Sequence, residues 1–198
     1  MLVAALGDSI TAGSPIWDPD PQVRAQIGSA LDERSQYEYW ATRRLRVPFR
    51  NCGVFGERVE QIALRLDACA RGARYLIVQG GINDIAQGRS VADAARGLEG
   101  IVRRAQALGL GVELVEVLPW NNGYPGAAGP IEQLNRLIAQ IGARARVPVL
   151  GFYRALEDPR APGRMRADLT IDGNHPSVSG YRILGGLVAL PPAPAGRG

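Results

Sequence analysis

Short apolar runs alternate with amphipathic helical segments along the chain, and this alternation limits the fold more than any other feature. Five runs are predicted to be buried strands, at residues 2–6, 47–51, 75–79, 112–117 and 147–152. Strands separated by helices pair in parallel, with helices covering both faces of the sheet. We therefore predict an α/β fold, a three-layer α/β/α sandwich with a five-stranded parallel sheet in a flavodoxin-like strand order.

The chain of 198 residues has the length of a single domain, which we place at residues 1–190. The tail at residues 191–198 is rich in proline and glycine and is predicted to be disordered. Residues 14–34 form a long connection with three prolines. Long connections in compact domains are often functional, so this one is a candidate to border a binding site.

The charge pattern argues against a nucleic-acid partner. The net charge is +4, but arginines and acidic residues are interspersed, and the densest basic pieces, residues 43–46 and 103–104, lie in predicted helices as solvated faces. No apolar run reaches the roughly 18 residues of a membrane span. The apolar N-terminus is too short for a secretory signal, so we predict a cytoplasmic location unless a signal segment has been removed. The oligomeric state is not specified.

The two cysteines, Cys52 and Cys69, do not have the spacing of metal ligands and do not form a disulfide framework. Both lie among apolar residues of the sequence. Free cysteine is one of the most frequently buried residue types, so we predict two buried thiols.

Polar and glycine residues follow each predicted strand. In open parallel sheets, ligands bind at the carboxyl ends of the strands. The segments at these ends are residues 7–11, 53–56, 80–84, 120–122 and 170–176. Their convergence on one edge of the sheet predicts a functional site there.

Ser9 and His175 supply the two groups that nucleophilic catalysis needs. A serine hydroxyl needs a base to take its proton, and His175 is the single histidine of the chain. Asp172 precedes it by three residues, a spacing at which the carboxylate reaches the imidazole and fixes its tautomer. An oxyanion needs donors, and our candidates are the backbone N–H groups of Ser9 and Gly53 and the side-chain amide of Asn83.

Each of these residues also has a purely structural interpretation. Ser9 can be a helix N-cap, His175 a surface turn residue, and Asn83 part of an Asx turn that closes a strand. Gly53 can simply permit a tight connection, and Asp8 is predicted to be a turn residue that binds local backbone N–H groups. For each residue taken singly, the structural interpretation is favoured. The order of these residues along one edge of the sheet nevertheless favours an active site.

Four segments together resemble the blocks of the SGNH, or GDSL-type, hydrolase family. Gly-Asp-Ser-Ile at residues 7–10 is similar to the block that carries the nucleophile. Residues 51–56 resemble the second block, whose first glycine donates a backbone N–H, and residues 81–84 resemble the third, whose asparagine supplies a side-chain donor. Residues 172–176 resemble the last block, which carries aspartate and histidine. The resemblance runs over residues 7–187.

The resemblance implies a three-layer α/β/α fold and hydrolysis of carboxylic esters with no metal and no cofactor. Glu57 departs from the family pattern, in which small or hydroxyl residues are frequent, and this leaves the substrate class open. The Gly-x-Ser-x-Gly elbow of α/β-hydrolases is not matched, because the residue two after the serine is Thr11.

The predicted substrate is a small-molecule ester, short-chain or water-soluble, attacked by Ser9 to give an acyl-enzyme. Trp17, Trp120 and Tyr124 are candidates to line an acyl pocket, although each can equally be a loop anchor packed on the core. Asn121 and Asn122 are candidates to bind sugar hydroxyls, which keeps a carbohydrate O-acetylesterase open beside a lysophospholipase or thioesterase. A different class, a non-catalytic flavodoxin-like phosphate-binding domain, is disfavoured because a carboxylate at Asp8 repels phosphate.

Overall fold

Five strands form one parallel sheet in the computed structural model of the protein, which describes residues 1–190. They are β1 (Val3–Gly7), β2 (Phe49–Gly53), β3 (Tyr75–Val78), β4 (Gly111–Val115) and β5 (Val149–Leu150). Their order is β2-β1-β3-β4-β5, with every pair parallel. This is the flavodoxin-like order, so the predicted fold is confirmed. The last strand is shorter than predicted, because the chain enters a helix at Phe152.

Helices join the strands and cover both faces of the sheet. In chain order they are α1 (Ser9–Ala12), α2 (Pro21–Ile27), α3 (Tyr37–Leu45), α4 (Val59–Leu64), α5 (Leu66–Ala70), α6 (Ile82–Ala86), α7 (Val91–Ala107), α8 (Ala128–Ala145), α9 (Phe152–Leu156) and α10 (Val178–Leu187). Apolar residues of α4, α5, α7 and α8 pack on one face, and those of α3, α9 and α10 pack on the other. Alternate side chains of β1, such as Ala5 and Leu6, enter the two cores in turn.

Two local features were predicted incompletely. The long connection at residues 14–34 contains α2, which begins with Pro21 after Asp20, whose carboxylate accepts the N–H of Gln22. A small antiparallel pair, β6 (Glu157–Asp158) and β7 (Ala161–Met165), lies between α9 and α10. Its strands were not predicted, because β6 has only two residues and β7 contains a proline and a glycine, which are uncommon in strands.

Cys52 and Cys69 form a disulfide, so the prediction of two buried thiols is wrong. Cys52 lies in β2 and Cys69 in α5, and the fold brings their Cα atoms to 6.0 Å, within the range that a disulfide spans. The 17-residue separation along the sequence does not reveal this pairing, because it is created when α5 packs beside the edge strand.

The tail that was predicted to be disordered, residues 191–198, lies outside the described residues. Within residues 1–190, no helix combines the length and the apolar character needed to cross a membrane.

Candidate active site

A pocket opens at the carboxyl ends of β1, β3 and β4, and Ser9, Asn83 and His175 lie in its wall. Its volume is about 130 Å³. The remaining lining is mainly apolar and consists of Ile10, Phe55, Gln79, Ile82, Ala86, Val117, Leu118, Pro119, Trp120 and Asn174. The sequence analysis missed most of this wall, although the four-residue spacing of Ile82 and Ala86 places both on one side of α6.

Ser9 is the first residue of α1 and is buried at the end of β1. The carboxylate of Asp8 caps this helix by accepting the N–H of Ile10 at 3.0 Å, which matches its predicted structural role. Gln79, at the end of β3, accepts both the Asp8 N–H and the Thr11 hydroxyl through its Oε1. Ser9 therefore stands on a short helix that is fixed by buried hydrogen bonds to Gln79, directly after β3.

Ser9, His175 and Asp172 form a continuous hydrogen-bonded chain. His175 Nε2 lies 3.1 Å from Ser9 Oγ, and His175 Nδ1 lies 2.7 Å from Asp172 Oδ2. The other oxygen of Asp172 accepts the backbone N–H groups of Asn174 and His175, each at 2.8 Å. Because an ionised carboxylate only accepts, His175 Nδ1 donates to it, and Nε2 is left to accept the serine proton.

The two carboxylates beside this chain have opposite pKa shifts. Burial by itself would raise the pKa of Asp172, but hydrogen bonds from the His175 ring and from two backbone N–H groups outweigh burial and hold the pKa below its ordinary value. Burial raises the pKa of Asp8 to about 6. Its Oδ2 has no hydrogen-bond partner within residues 1–190. Asp172 is therefore ionised at neutral pH and directs its charge at the histidine ring.

Asn83 lies in α6 and is held by the turn that follows β2. Its Nδ2 donates to the Glu57 carbonyl at 2.9 Å, which leaves the second N–H of the amide for another acceptor. The Glu57 carboxylate is paired with Arg65 at 2.5 Å, and Arg65 also donates to the carbonyls of Cys52 and Gly7. Glu57, the residue that departs from the family pattern, thus belongs to a charged network that connects β1 and β2 to this turn.

Gly53 is placed differently from its predicted role as an oxyanion donor. Its N–H donates to Asn51 Oδ1 at 2.9 Å, and a Cβ at this position would lie 2.0 Å from the Ala12 nitrogen. The glycine is therefore needed for the close approach of β2 to α1. Three residues later, Gly56 has a φ of +77°, and within residues 1–190 its N–H donates no hydrogen bond. Of the two glycines in this segment, Gly56 is therefore the one whose N–H is open to another acceptor.

Of the four predicted substrate-binding residues, Trp120 alone lines the pocket. The guanidinium carbon of Arg24 lies 4.8 Å from the centre of the Trp17 ring. Trp17 also borders a separate groove beside α3. The Asn121 amide is used by both backbone groups of Met165, and Tyr124 packs under Arg164 at 4.3 Å. None of these three residues lines the pocket: Trp17 and Tyr124 stack on arginines, and Asn121 binds β7.

Among residues 1–190, no three histidine, cysteine, aspartate or glutamate side chains gather as a ligand set. The site groups a serine hydroxyl, an imidazole, a carboxylate and a side-chain amide, which are groups that acyl transfer can use.

Solved structures with this fold come from several bacteria. A GDSL-like lipase from Bacteroides thetaiotaomicron is 20% identical, with a TM-score of 0.73 over 94% of this chain and 84% of that chain. A member of the lipolytic protein G-D-S-L family from Veillonella parvula is 20% identical, with a TM-score of 0.74 over 93% and 94%. A lipase/acylhydrolase from Enterococcus faecalis is 23% identical, with a TM-score of 0.71 over 94% and 92%. At these identities the likeness shows the fold.

The sequence itself decides the family. No curated protein matches the chain. A model of the GDSL-like lipase/acylhydrolase family matches residues 5–183, nearly the whole chain, and includes all the segments that border the pocket. The predicted resemblance is confirmed, and the chain belongs to the GDSL-like lipase/acylhydrolase family of hydrolases that act on esters.

Proposed function

We propose that the protein is a serine ester hydrolase in which Ser9 is the nucleophile, His175 the general base and Asp172 the residue that orients the histidine. The observation that carries the proposal is the hydrogen-bonded chain from Ser9 Oγ through both ring nitrogens of His175 to Asp172, at the wall of an apolar pocket. The pocket is part of this argument, because a buried serine–histidine pair without space for an acyl group would fit a structural role as well as a catalytic one.

The reaction follows from the proton positions in this chain. His175 Nε2 takes the Ser9 proton as Oγ attacks the ester carbonyl, and Asp172 stabilises the imidazolium that forms. Collapse of the tetrahedral intermediate expels the alcohol, which receives the proton from His175, and an acyl-serine remains. Water then attacks the acyl group with His175 again as base, and the carboxylic acid leaves as Ser9 regains its proton.

The oxyanion of both intermediates is stabilised by hydrogen-bond donors near Ser9. The backbone N–H of Ser9 and the second amide N–H of Asn83 retain their predicted roles. We place the third donor at Gly56 in place of Gly53, because the Gly53 N–H is bound to Asn51. Loss of one such donor typically lowers the rate by about 10²–10³.

The size of the pocket favours short acyl groups. Its volume of about 130 Å³ is below the roughly 300–1,000 Å³ of typical ligand pockets, and no aspartate, glutamate or arginine side chain lines it. The sugar-binding alternative loses its main support, because the Asn121 amide is used by Met165 and the Asn122 amide donates to the Asp172 carbonyl. The small volume therefore favours a short acyl group over the long acyl chain of a lysophospholipid.

The experiment is hydrolysis of p-nitrophenyl acetate and butyrate by the wild type, Ser9→Ala and His175→Ala. We expect both variants to lose several orders of magnitude in kcat. Ser90→Ala is the matched control, because Ser90 caps α7 on the surface, away from the pocket, and should retain the wild-type rate. An inert wild type, or an active Ser9→Ala, would overturn the proposal.

A chain-length series tests the substrate class. The wild type should hydrolyse acetate to hexanoate esters and fall off sharply for longer acyl chains. Ala86→Leu adds volume to the apolar wall and should shift the preference toward acetate. A wild type that prefers dodecanoate would contradict the short-chain assignment and favour a lysophospholipase or thioesterase.

The disulfide is evidence about the cellular compartment of the protein. Disulfides persist mainly in oxidising compartments and are rare in the cytosol of mesophiles. The Cys52–Cys69 bond therefore supports an oxidising location over the predicted cytoplasmic one. Thiol titration of the denatured, unreduced protein purified from its natural compartment should find no free thiol, whereas two free thiols would support the cytoplasm.

A further inference from the structure

The turn formed by Trp120, Asn121 and Asn122 is bound, residue by residue, to the loop that carries Asp172 and His175. The Trp120 indole Nε1–H donates to Asn174 Oδ1. The Asn121 N–H donates to the Gly173 carbonyl at 2.9 Å, and the Asn122 amide donates to the Asp172 carbonyl at 2.9 Å. Three successive residues of the turn thus hold three successive residues of the catalytic loop.

This turn is itself anchored to a third part of the molecule. The Asn121 side chain donates to the Met165 carbonyl at 3.0 Å and accepts the Met165 N–H at 2.7 Å. Both polar ends of the amide therefore form hydrogen bonds with β7, the second strand of the small hairpin. The hairpin holds the turn, and the turn holds the catalytic loop.

Trp120 is the point where the turn reaches the substrate. Its ring lines the apolar pocket, and its Nε1–H is bound to Asn174, the residue directly before His175. Asn174 lines the same pocket. One side chain therefore forms part of the acyl-binding wall and a hydrogen bond to the loop that sets the position of the catalytic base.

We infer that the Trp120–Asn174 hydrogen bond positions the catalytic loop, so that Trp120 is a positioning residue for His175 as well as part of the acyl-binding wall. This inference rests on the proposed function. The loop needs such support because it lies near the surface: the Asp172 side chain is 36% exposed, and the adjacent Ile171 is 45% exposed. A base displaced by a fraction of an ångström loses its alignment with Ser9, which lowers kcat.

The experiment separates the two roles of Trp120. Trp120→Phe keeps an aromatic wall and removes the N–H donor, and Asn174→Ala removes the acceptor while keeping the backbone N–H that binds Asp172. With p-nitrophenyl acetate, whose acyl group is too short to use the wall, each variant should lower kcat about tenfold with little change in KM. The double variant should also lose about tenfold, not about a hundredfold, because both substitutions remove one interaction.

Trp40→Phe is the matched control. The Trp40 indole N–H donates to the Arg34 carbonyl at 2.8 Å, so the same chemical group is lost away from the pocket. It should leave kcat within about twofold of the wild type. Melting temperatures of all variants, with assays run well below them, separate a loss of position from a loss of folded protein.

Proton NMR gives a readout that does not depend on turnover. Because the chain has one histidine, the downfield proton shared by His175 Nδ1 and Asp172 is assigned without ambiguity. Trp120→Phe and Asn174→Ala should shift or broaden this resonance, and Trp40→Phe should not. An unchanged resonance with wild-type kcat, or multiplicative losses in the double variant, would overturn the inference. An inactive wild type would instead count against the proposed function, and the resonance would still report whether the turn positions His175.

Discussion

The segment that presents Ser9 and the segment that presents His175 are held in place by different parts of the molecule. Residues 8–12 are all buried, and side chains from β2, β3, α3 and α10 bind them inside the core. Residues 170–174 are exposed or half-buried and only His175 is buried. This segment is held by the turn at residues 120–122, which is itself bound to the hairpin. The comparison implies that substitutions around the nucleophile lower the free energy of unfolding first, whereas substitutions around the base lower the rate first.

Asp172→Asn tests the activity side of this comparison and has the largest expected effect. The amide can no longer stabilise the imidazolium and favours the wrong tautomer, so kcat should fall by about 10⁴. Asp168→Asn is the matched control, because Asp168 is an exposed carboxylate nearby that pairs with Arg166. Steady-state kinetics on short-chain esters measure kcat for both variants. A loss below about tenfold would show that the histidine does not depend on this carboxylate.

The lowered pKa of Asp172 also gives a sign for its effect on stability. A carboxylate with a lowered pKa stabilises the folded protein at neutral pH, and this contribution is lost as the pH falls through its folded pKa. In the Asp172→Asn variant, the free energy of unfolding should therefore fall less steeply than in the wild type as the pH is lowered. Because the side chain is partly exposed, we expect this effect to be minor beside the effect on rate.

Gly53→Ala tests the stability side. The new Cβ would lie 2.0 Å from the Ala12 nitrogen and 2.4 Å from the Ala12 Cα, and backbone atoms of α1 cannot rotate away. The free energy of unfolding should fall by about 3 kcal/mol or more, measured by urea denaturation. Gly100→Ala is the control, because a Cβ there meets nothing within 4 Å and the position lies inside α7. A Gly53→Ala protein as stable as the control would show that β2 and α1 separate easily.

Asp8→Asn probes the same segment through pH. Burial raises the Asp8 pKa from 3.8 to about 6, so the folded protein binds a proton more tightly than the unfolded chain does. Stability from this group is therefore present below pH 4 and is lost as the pH rises to 6, a change of about 3 kcal/mol. The variant should match the wild type near pH 4 and exceed it at pH 7.5. Asp67→Asn, at an exposed carboxylate, should show no such gain.

The same contrast explains what the sequence could and could not predict. The sheet and its order follow from local patterns, since each strand is a short apolar run and each crossover a helix. Ser9, Asp172 and His175 stand at the ends of those elements, where the topology brings polar residues together. Asn121 was assigned to substrate because its partner, Met165, lies 44 residues away and no local pattern reveals that contact. The Cys52–Cys69 bond was missed for the same reason.

Gly173→Ala has the smallest expected effect on stability and tests how tightly the turn holds the catalytic loop. Gly173 has a φ of +83°, and a Cβ there would lie 2.5 Å from Asn122 Oδ1. The left-handed backbone alone should cost about 1 kcal/mol in unfolding free energy. Gly88→Ala is the matched control, because Gly88 has a φ of +69° and its Cβ would meet nothing within 4 Å.

The two alanine variants should therefore lose similar stability, and Gly173→Ala should in addition lose several-fold in kcat, because the new methyl pushes the Asn122 side chain that supports the Asp172 carbonyl. Unfolding curves and kinetics on p-nitrophenyl acetate measure the two quantities side by side. If both variants retain the wild-type kcat, the loop tolerates displacement of Asn122, and the base is positioned by the core as firmly as the nucleophile is. If Gly173→Ala alone loses rate, the surface turn sets the position of the base.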